Sequence, residues 1–294
     1  ILCPSEDPQI EIGGKEMKSR NLKSKLLQIP ILFIFICLAV VMLLPIVWML
    51  LSSFKPDNEI IKYPPTLFPT AYTLKNFIKC TQRIDIWVYL KNSFIYSFGA
   101  TIPSLLVNTM AGYAFARYNF KGKDIIFVIF LATMMIPFQV IMIPSFLEVH
   151  ALGMYDNYAG LIIPKIAAAY WIFMMRSAFS GLPKELEEAA RIDGLSEFGI
   201  YARIMMPLIK PALVTLIILS VNGNWNDLLW PLIITSNSKM RTLSNGLALF
   251  VGARTIEYGA AFAGAAISLV PMLVLYIFGQ KYFVEGQATS GLKG

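Results

Sequence analysis

The chain has 294 residues, of which 56% are hydrophobic and 15% charged, with a mean hydropathy of +0.62. That is too apolar for a water-soluble domain of this length and reads as an all-α, polytopic membrane protein. The net charge of +7 does not call for nucleic acid, because the basic residues gather at the ends of apolar runs, where they set membrane orientation.

Residues 1–25 form a polar leader. Its first part carries Glu6, Asp7, Pro8 and Glu11, and its second is the basic run MKSRNLKSK from Met17. Met17 is one candidate for the natural start, in which case 1–16 is expected to be an extension of little structure. The charge-free run 26–54 is too long for a secretory core and lacks a small-residue cleavage site, so it is expected to stay as a first span. The loop 55–87 holds Pro56, Pro64, Pro65 and Pro69 with little to build a core, and is expected to form an ordered external cap.

Five more runs, 88–117, 125–147, 158–179, 208–235 and 259–283, are each long enough to cross about 30 Å of hydrocarbon. Six spans follow. Placing the N-terminus inside puts Lys15, Lys18, Arg20, Lys23, Lys25, Arg117, Lys121, Lys123, Arg176, Lys184, Arg191, Arg203, Lys210, Lys281 and Lys293 on the cytoplasmic side, most of the 25 Lys and Arg. The C-terminus is then cytoplasmic too. Arg117, Lys121 and Lys123 mark a short basic loop whose first role is anchoring.

Lys165 follows Pro164 in the fourth run. A lone Lys near the bilayer centre costs about 2.5–3.5 kcal/mol. Either it lies in the outer third and snorkels to the external interface, or it faces a pathway and attracts an anionic solute such as a uronate oligosaccharide.

Between the fourth and fifth runs lies LPKELEEAARIDGLSEFGIYARIMMPLIKPAL, residues 182–213. Pro183 suits a first helical position, and Glu185, Glu187 and Glu188 face the positive end of that helix. Leu186, Ala189 and Ala190 form a small apolar face, with Glu187 and Arg191 pointing elsewhere. Gly194 closes the helix in the left-handed conformation. Ser196 then caps a second short helix with Phe198, Tyr201 and Met205 on one side, stopped by Pro207.

The pattern Glu188-Ala189-Ala190, Gly194, Ile204, Met206-Pro207 resembles the EAA signature of membrane subunits of binding-protein-dependent ABC importers, Met206 standing where the family favours Leu. The resemblance implies the transmembrane fold of a type I ABC importer. It also implies a cytoplasmic coupling hairpin, 182–207, seated in a separate ATPase subunit. By that resemblance the coupling residues are Glu187, Glu188, Ala189, Ala190, Asp193, Gly194, Ile204 and Pro207. The alternative is an interfacial amphipathic hairpin with no partner.

The fifth run turns polar at Asn222-Gly223-Asn224-Trp225-Asn226-Asp227, which a lipid-facing helix does not carry cheaply. Gly223 permits unwinding there, and Asn, Asp and Trp offer hydrogen bonds and a stacking surface. The patch resembles the WNDxLWPL segment of the carbohydrate-importing branch. Lys165, Asn222, Trp225, Asn226 and Asp227 are the pathway candidates; bonding between helices would explain the polar residues equally well. Segment 236–258 faces the side from which a binding protein delivers solute. The tail 284–294 resembles that of the same branch.

The sequence lacks G-x-x-x-x-G-K-[ST], since Gly122-Lys123-Asp124 has neither the upstream glycine nor the hydroxyl residue. His150 is the sole histidine, and Cys3, Cys37 and Cys80 are scattered. Neither a catalytic triad nor a metal site is expected. The resemblance implies a non-enzymatic permease subunit in a bacterial inner membrane. Its partners are a second, homologous permease subunit, an extracytoplasmic solute-binding protein and two ATPase subunits that bind ATP and Mg. The competing reading is an ion- or proton-coupled secondary carrier using Asp227 and Lys165.

Overall fold

The computed structural model describes residues 9–252 and 257–291. Residues 1–8 of the leader, residues 253–256 of the external segment and Lys293 lie outside them, while residues 9–16, expected to have little structure, are helical. Helices carry the regular structure. Helix α1, Gln9–Ser53, contains the apolar segment Gln28–Ser53, none of which is buried within the chain over its most apolar stretch. Its C-terminal end docks, with Trp48 edge-on to Phe262 at 5.5 Å.

Segment 55–87 folds over the end of the bundle through α2, Asp57–Ile60, and α3, Lys75–Arg83. Glu59 organises it by accepting bonds from Thr66 Oγ1 at 2.8 Å and from Thr70 N and Oγ1 at 2.9–3.1 Å. Burial alone would raise the Glu59 pKa, but these bonds and the Lys55 charge together hold it below its ordinary value. Asn76 Nδ2 ties α3 to the end of α1 through the Ser53 and Lys55 carbonyls.

The central rod is α4, Ile86–Arg117. Its buried stripe is small and hydroxylated, with Ser93, Ser97, Ala100, Thr101, Ser104, Thr109 and Gly112, so neighbouring backbones come close. A Cβ at Gly112 would lie 2.5 Å from Met175 Cβ. Met175 belongs to α8, Ala169–Ser180, which packs along α4, as does α12, Lys210–Trp225, through the Thr101–Ser220 hydroxyl bond of 2.9 Å.

Among the described residues three helices are long and apolar enough to cross a membrane singly: Gln28–Ser53, Ile86–Arg117 and Tyr258–Gln280, the last within α15, Tyr258–Gly291. Three bent pairs bring the number to six when each is counted as one span. The third span departs from the continuous helix expected over 125–147. Here α5, Lys123–Thr133, and α6, Phe138–Ala151, meet at 101°. Pro137 has no N–H to continue the first helix and restricts the residue before it, while Met134, Met135 and Ile136 close tight turns. The fourth span starts as α7, Tyr158–Ile162, tightens at Ile163–Lys165 and bends by 43° into α8.

Candidate functional site

The hairpin opens with α9, Glu185–Ile192, behind Lys184 as N-cap. Pro183 therefore precedes the helix and is not its first residue. Gly194 has φ +81°, the conformation anticipated for it. Leu195 N returns to the Ala190 carbonyl at 3.0 Å and Gly194 N to that of Arg191 at 3.1 Å. Ser196 caps the second limb, its Oγ accepting from Gly199 N at 3.2 Å.

That limb is α10, Glu197–Gly199, followed by a widened turn at Ile200–Met205 and by α11, Met206–Leu208. Pro207 does not stop it. The Met206 N–H reaches back five residues to the Tyr201 carbonyl, and this wider turn gives the proline ring room that a regular helix would deny. The chain breaks two residues later, at Ile209, where it turns by 80° into α12.

The faces agree only in part with the sequence reading. Glu187 and Ala190 point inward, while Leu186, Glu188, Ala189, Ile192 and Asp193 are exposed. Ile200, Tyr201 and Met205 are buried and Ile204 partly so, but Phe198 is 67% exposed. The inner face packs on Tyr113, Met175, Phe179 and Leu216, so α4, α8 and α12 all meet the hairpin.

Glu187 is inside because Arg117, the last residue of α4, holds it. Their Nε and Oε1 atoms lie 2.8 Å apart, with side chains only 5% and 9% exposed. The angle falls short of a hydrogen bond, making this a contact ion pair. Arg117 also donates to the Leu182 carbonyl at 2.8 Å. Burial raises the Glu187 pKa, and Arg117 only partly offsets it. At the rim Arg191 grips Glu197 with two bonds of 2.8 and 3.1 Å, and the Tyr118 hydroxyl adds a third at 3.1 Å. Arg191 leads in holding Glu197 below its ordinary pKa.

The pathway candidates divide. The Lys165 Nζ is 3.0 Å from Asp227 Oδ2 and 4.8 Å from the centre of the Phe138 ring. Its charge is thus paired with Asp227, with 26% of its side chain exposed. Asp227 also accepts from the Tyr96 hydroxyl at 2.8 Å and from Trp230 N at 3.2 Å. Asn222 and Asn226 are exposed and bonded to each other at 3.0 Å.

Trp225 offers no stacking face. It is 2% exposed, edge-on to Phe94 and bonded to Ser268 Oγ at 3.1 Å. Nor does the helix unwind at Gly223: α12 continues to Trp225, and the break at 226–228 precedes α13, Leu229–Ile234. His150 packs beside Phe146 and Tyr155, and no metal-binding group of His, Cys, Asp or Glu occurs among the described residues.

Sequence reasoning missed Tyr96, Tyr113 and Phe138 and read Arg117 only as an anchor. Arg117 lies 65 residues from Leu182 and Tyr96 131 residues from Asp227, and no local pattern signals such pairings.

Bent spans around a buttressed hairpin define a class: a multi-pass helical membrane protein. Residues 108–286 match the family described as binding-protein-dependent transport system inner membrane component, and the chain belongs to it. It is 38% identical to the arabinooligosaccharides transport system permease protein AraQ of Halalkalibacterium halodurans, over 88% of this chain and 94% of that one. It is 30% identical to the lactose transport system permease protein LacG of Rhizobium radiobacter, over 84% and 89%. In fold it is similar to a chain in the crystal structure of a bacterial ABC transporter involved in the import of the acidic polysaccharide alginate, with a TM-score of 0.74 at 23% identity, covering 96% of this chain and 100% of that one. Membership in this family sets aside the gradient-driven carrier.

Proposed function

We propose that this chain is one of two membrane-spanning permease subunits of a bacterial importer for a sugar or oligosaccharide. The solute arrives from an extracytoplasmic binding protein, and ATP is hydrolysed by two separate ATPase subunits, not by this chain. The second permease is a homologous, non-identical subunit, and the complex sits in the inner membrane with the hairpin and both termini in the cytoplasm. The carbohydrate assignment rests on the kinship with AraQ and LacG.

One observation carries the coupling role. The hairpin buries Glu187 and Ala190 against the bundle and leaves Leu186, Glu188, Ala189, Ile192 and Phe198 outward. A surface fixed from behind, with Leu186, Ile192 and Phe198 exposed among charged side chains in front, suits seating in another subunit. ATP-driven closure of the partners would displace it, and α4, α8 and α12 would carry the displacement to the broken spans. There Lys165, Asn222, Asn226 and Asp227 border the pathway, irregular backbone at membrane depth being tolerated where it lines a cavity or meets protein.

Gly194→Val in the reconstituted importer tests the proposal. No atom lies within 4 Å of an added Cβ, so the effect is on the backbone alone, about 1–2 kcal/mol at positive φ. Binding-protein-stimulated ATPase activity should be lost while membrane insertion survives. Unaltered stimulation would refute the coupling role.

A further inference from the structure

Two ion pairs contact α4 at separate levels, one at its last residue and one about six turns before it. At one end Arg117 holds Glu187 of the hairpin at 2.8 Å. A third of the way along from the helix start, Tyr96 donates to Asp227, which pairs with Lys165 at 3.0 Å. From Tyr96 to Arg117 the rod measures about 32 Å at 1.5 Å per residue, close to the thickness of the hydrocarbon core.

The far pair joins particular places. Lys165 ends the tightened turn from which α8 departs, and Asp227 sits in the break where α12 ends. The helices α8 and α12 are also the two arms that enter and leave the hairpin. The arms are thus closed into a ring, by the hairpin at one end and by Lys165–Asp227 at the other, with α4 bound at both corners. Phe138, first residue of α6 after the 101° break, adds the third broken span, since its ring lies under the Lys165 ammonium and edge-on to Trp230 at 6.0 Å.

We propose that the Lys165–Asp227 pair, with Tyr96, is the positioning tie at the membrane end of this frame, holding α8 and α12 together in the resting importer until hairpin displacement parts them. The inference rests on the coupling role of the hairpin given above. The two side chains are 26% and 15% exposed, dry enough for the pair to be strong yet open enough to be parted. A merely tolerated charge pair would only have to neutralise itself; a tie must also bridge the two arms.

The test measures basal Mg-ATP hydrolysis by the reconstituted complex, without binding protein or solute, beside the yield of assembled complex. Lys165→Met and Asp227→Leu should each raise basal hydrolysis about fivefold or more, the range of ordinary coupling energies. The double variant Lys165→Met with Asp227→Leu should stay raised, because it removes the uncompensated charge but not the missing bridge. Exchange, Lys165→Asp with Asp227→Lys, should return the rate toward that of the unaltered protein.

Restoration by the neutral double variant would overturn the tie and leave charge neutralisation alone. Unchanged basal hydrolysis in both single variants would overturn it, and so would loss of assembly without any rise. Failure of the unaltered chain to assemble with an ATPase would instead refute the coupling role itself.

Discussion

The contact between Arg117 and Glu187 allows an asymmetric prediction. Both side chains are nearly dry, and removing one member of a buried pair costs about 3–5 kcal/mol, because the other is left charged without its partner. Glu187→Ala strands Arg117, which cannot shed its proton in proteins. The Leu182 carbonyl still accepts from it, so the lower end, about 3 kcal/mol, applies. Arg117→Ala strands a carboxylate whose pKa burial already raises. That group can take a proton, so its cost is smaller and shrinks as pH falls from neutral toward the carboxylate range.

The assay is amide hydrogen exchange over residues 185–208 in the detergent-purified complex. Glu187→Ala should accelerate exchange there about a hundredfold at neutral pH once intrinsic rates are divided out, if the whole cost appears as local opening. Arg117→Ala should accelerate it less, and less still in mild acid. The double variant Arg117→Met with Glu187→Met should lie near the unaltered protein. Equal effects of the two alanine variants, or a double variant as open as either, would refute the reasoning.

Two further outcomes are expected. Gly112→Val should push α4 from α8, since even the first added carbon would lie 2.5 Å from Met175 Cβ and 2.9 Å from Arg176 N; overpacking of about 1–3 kcal/mol or more would show as a lower melting temperature of the purified complex, and an unchanged one would contradict the close approach. The Arg191–Glu197 contribution should be complete above the ordinary Glu value of 4.5 and lost as pH falls through the depressed one, seen as faster exchange over 195–199 in acid that Glu197→Gln abolishes. Glu187 has the opposite sign: its burial penalty is full above its raised pKa and gone below 4.5. It therefore takes its proton first on acidification.

Much of the architecture was legible because its causes are local. Apolar runs and the basic residues at their ends describe six spans without any tertiary contact. The Ser196 cap and the left-handed Gly194 are likewise dictated by neighbours a few residues away. What misled was setting Glu187 on a different face from Ala190, and expecting Gly223 rather than Asn226–Leu228 to break the fifth span. Trp225 read as a stacking surface because its neighbours are polar, whereas Phe94 and Ser268 enclose it.

The sequence by itself determined a membrane-embedded, all-helical chain with a charged hairpin carrying the EAA signature. Only the tertiary structure decided which face of that hairpin is inward, and that Lys165 and Asp227 neutralise each other between broken spans. The reason is physical. Helix caps, span lengths and positive φ depend on residues a turn apart, while the side a charge faces depends on a countercharge brought near by folding, as Arg117 is to Glu187 and Tyr96 to Asp227.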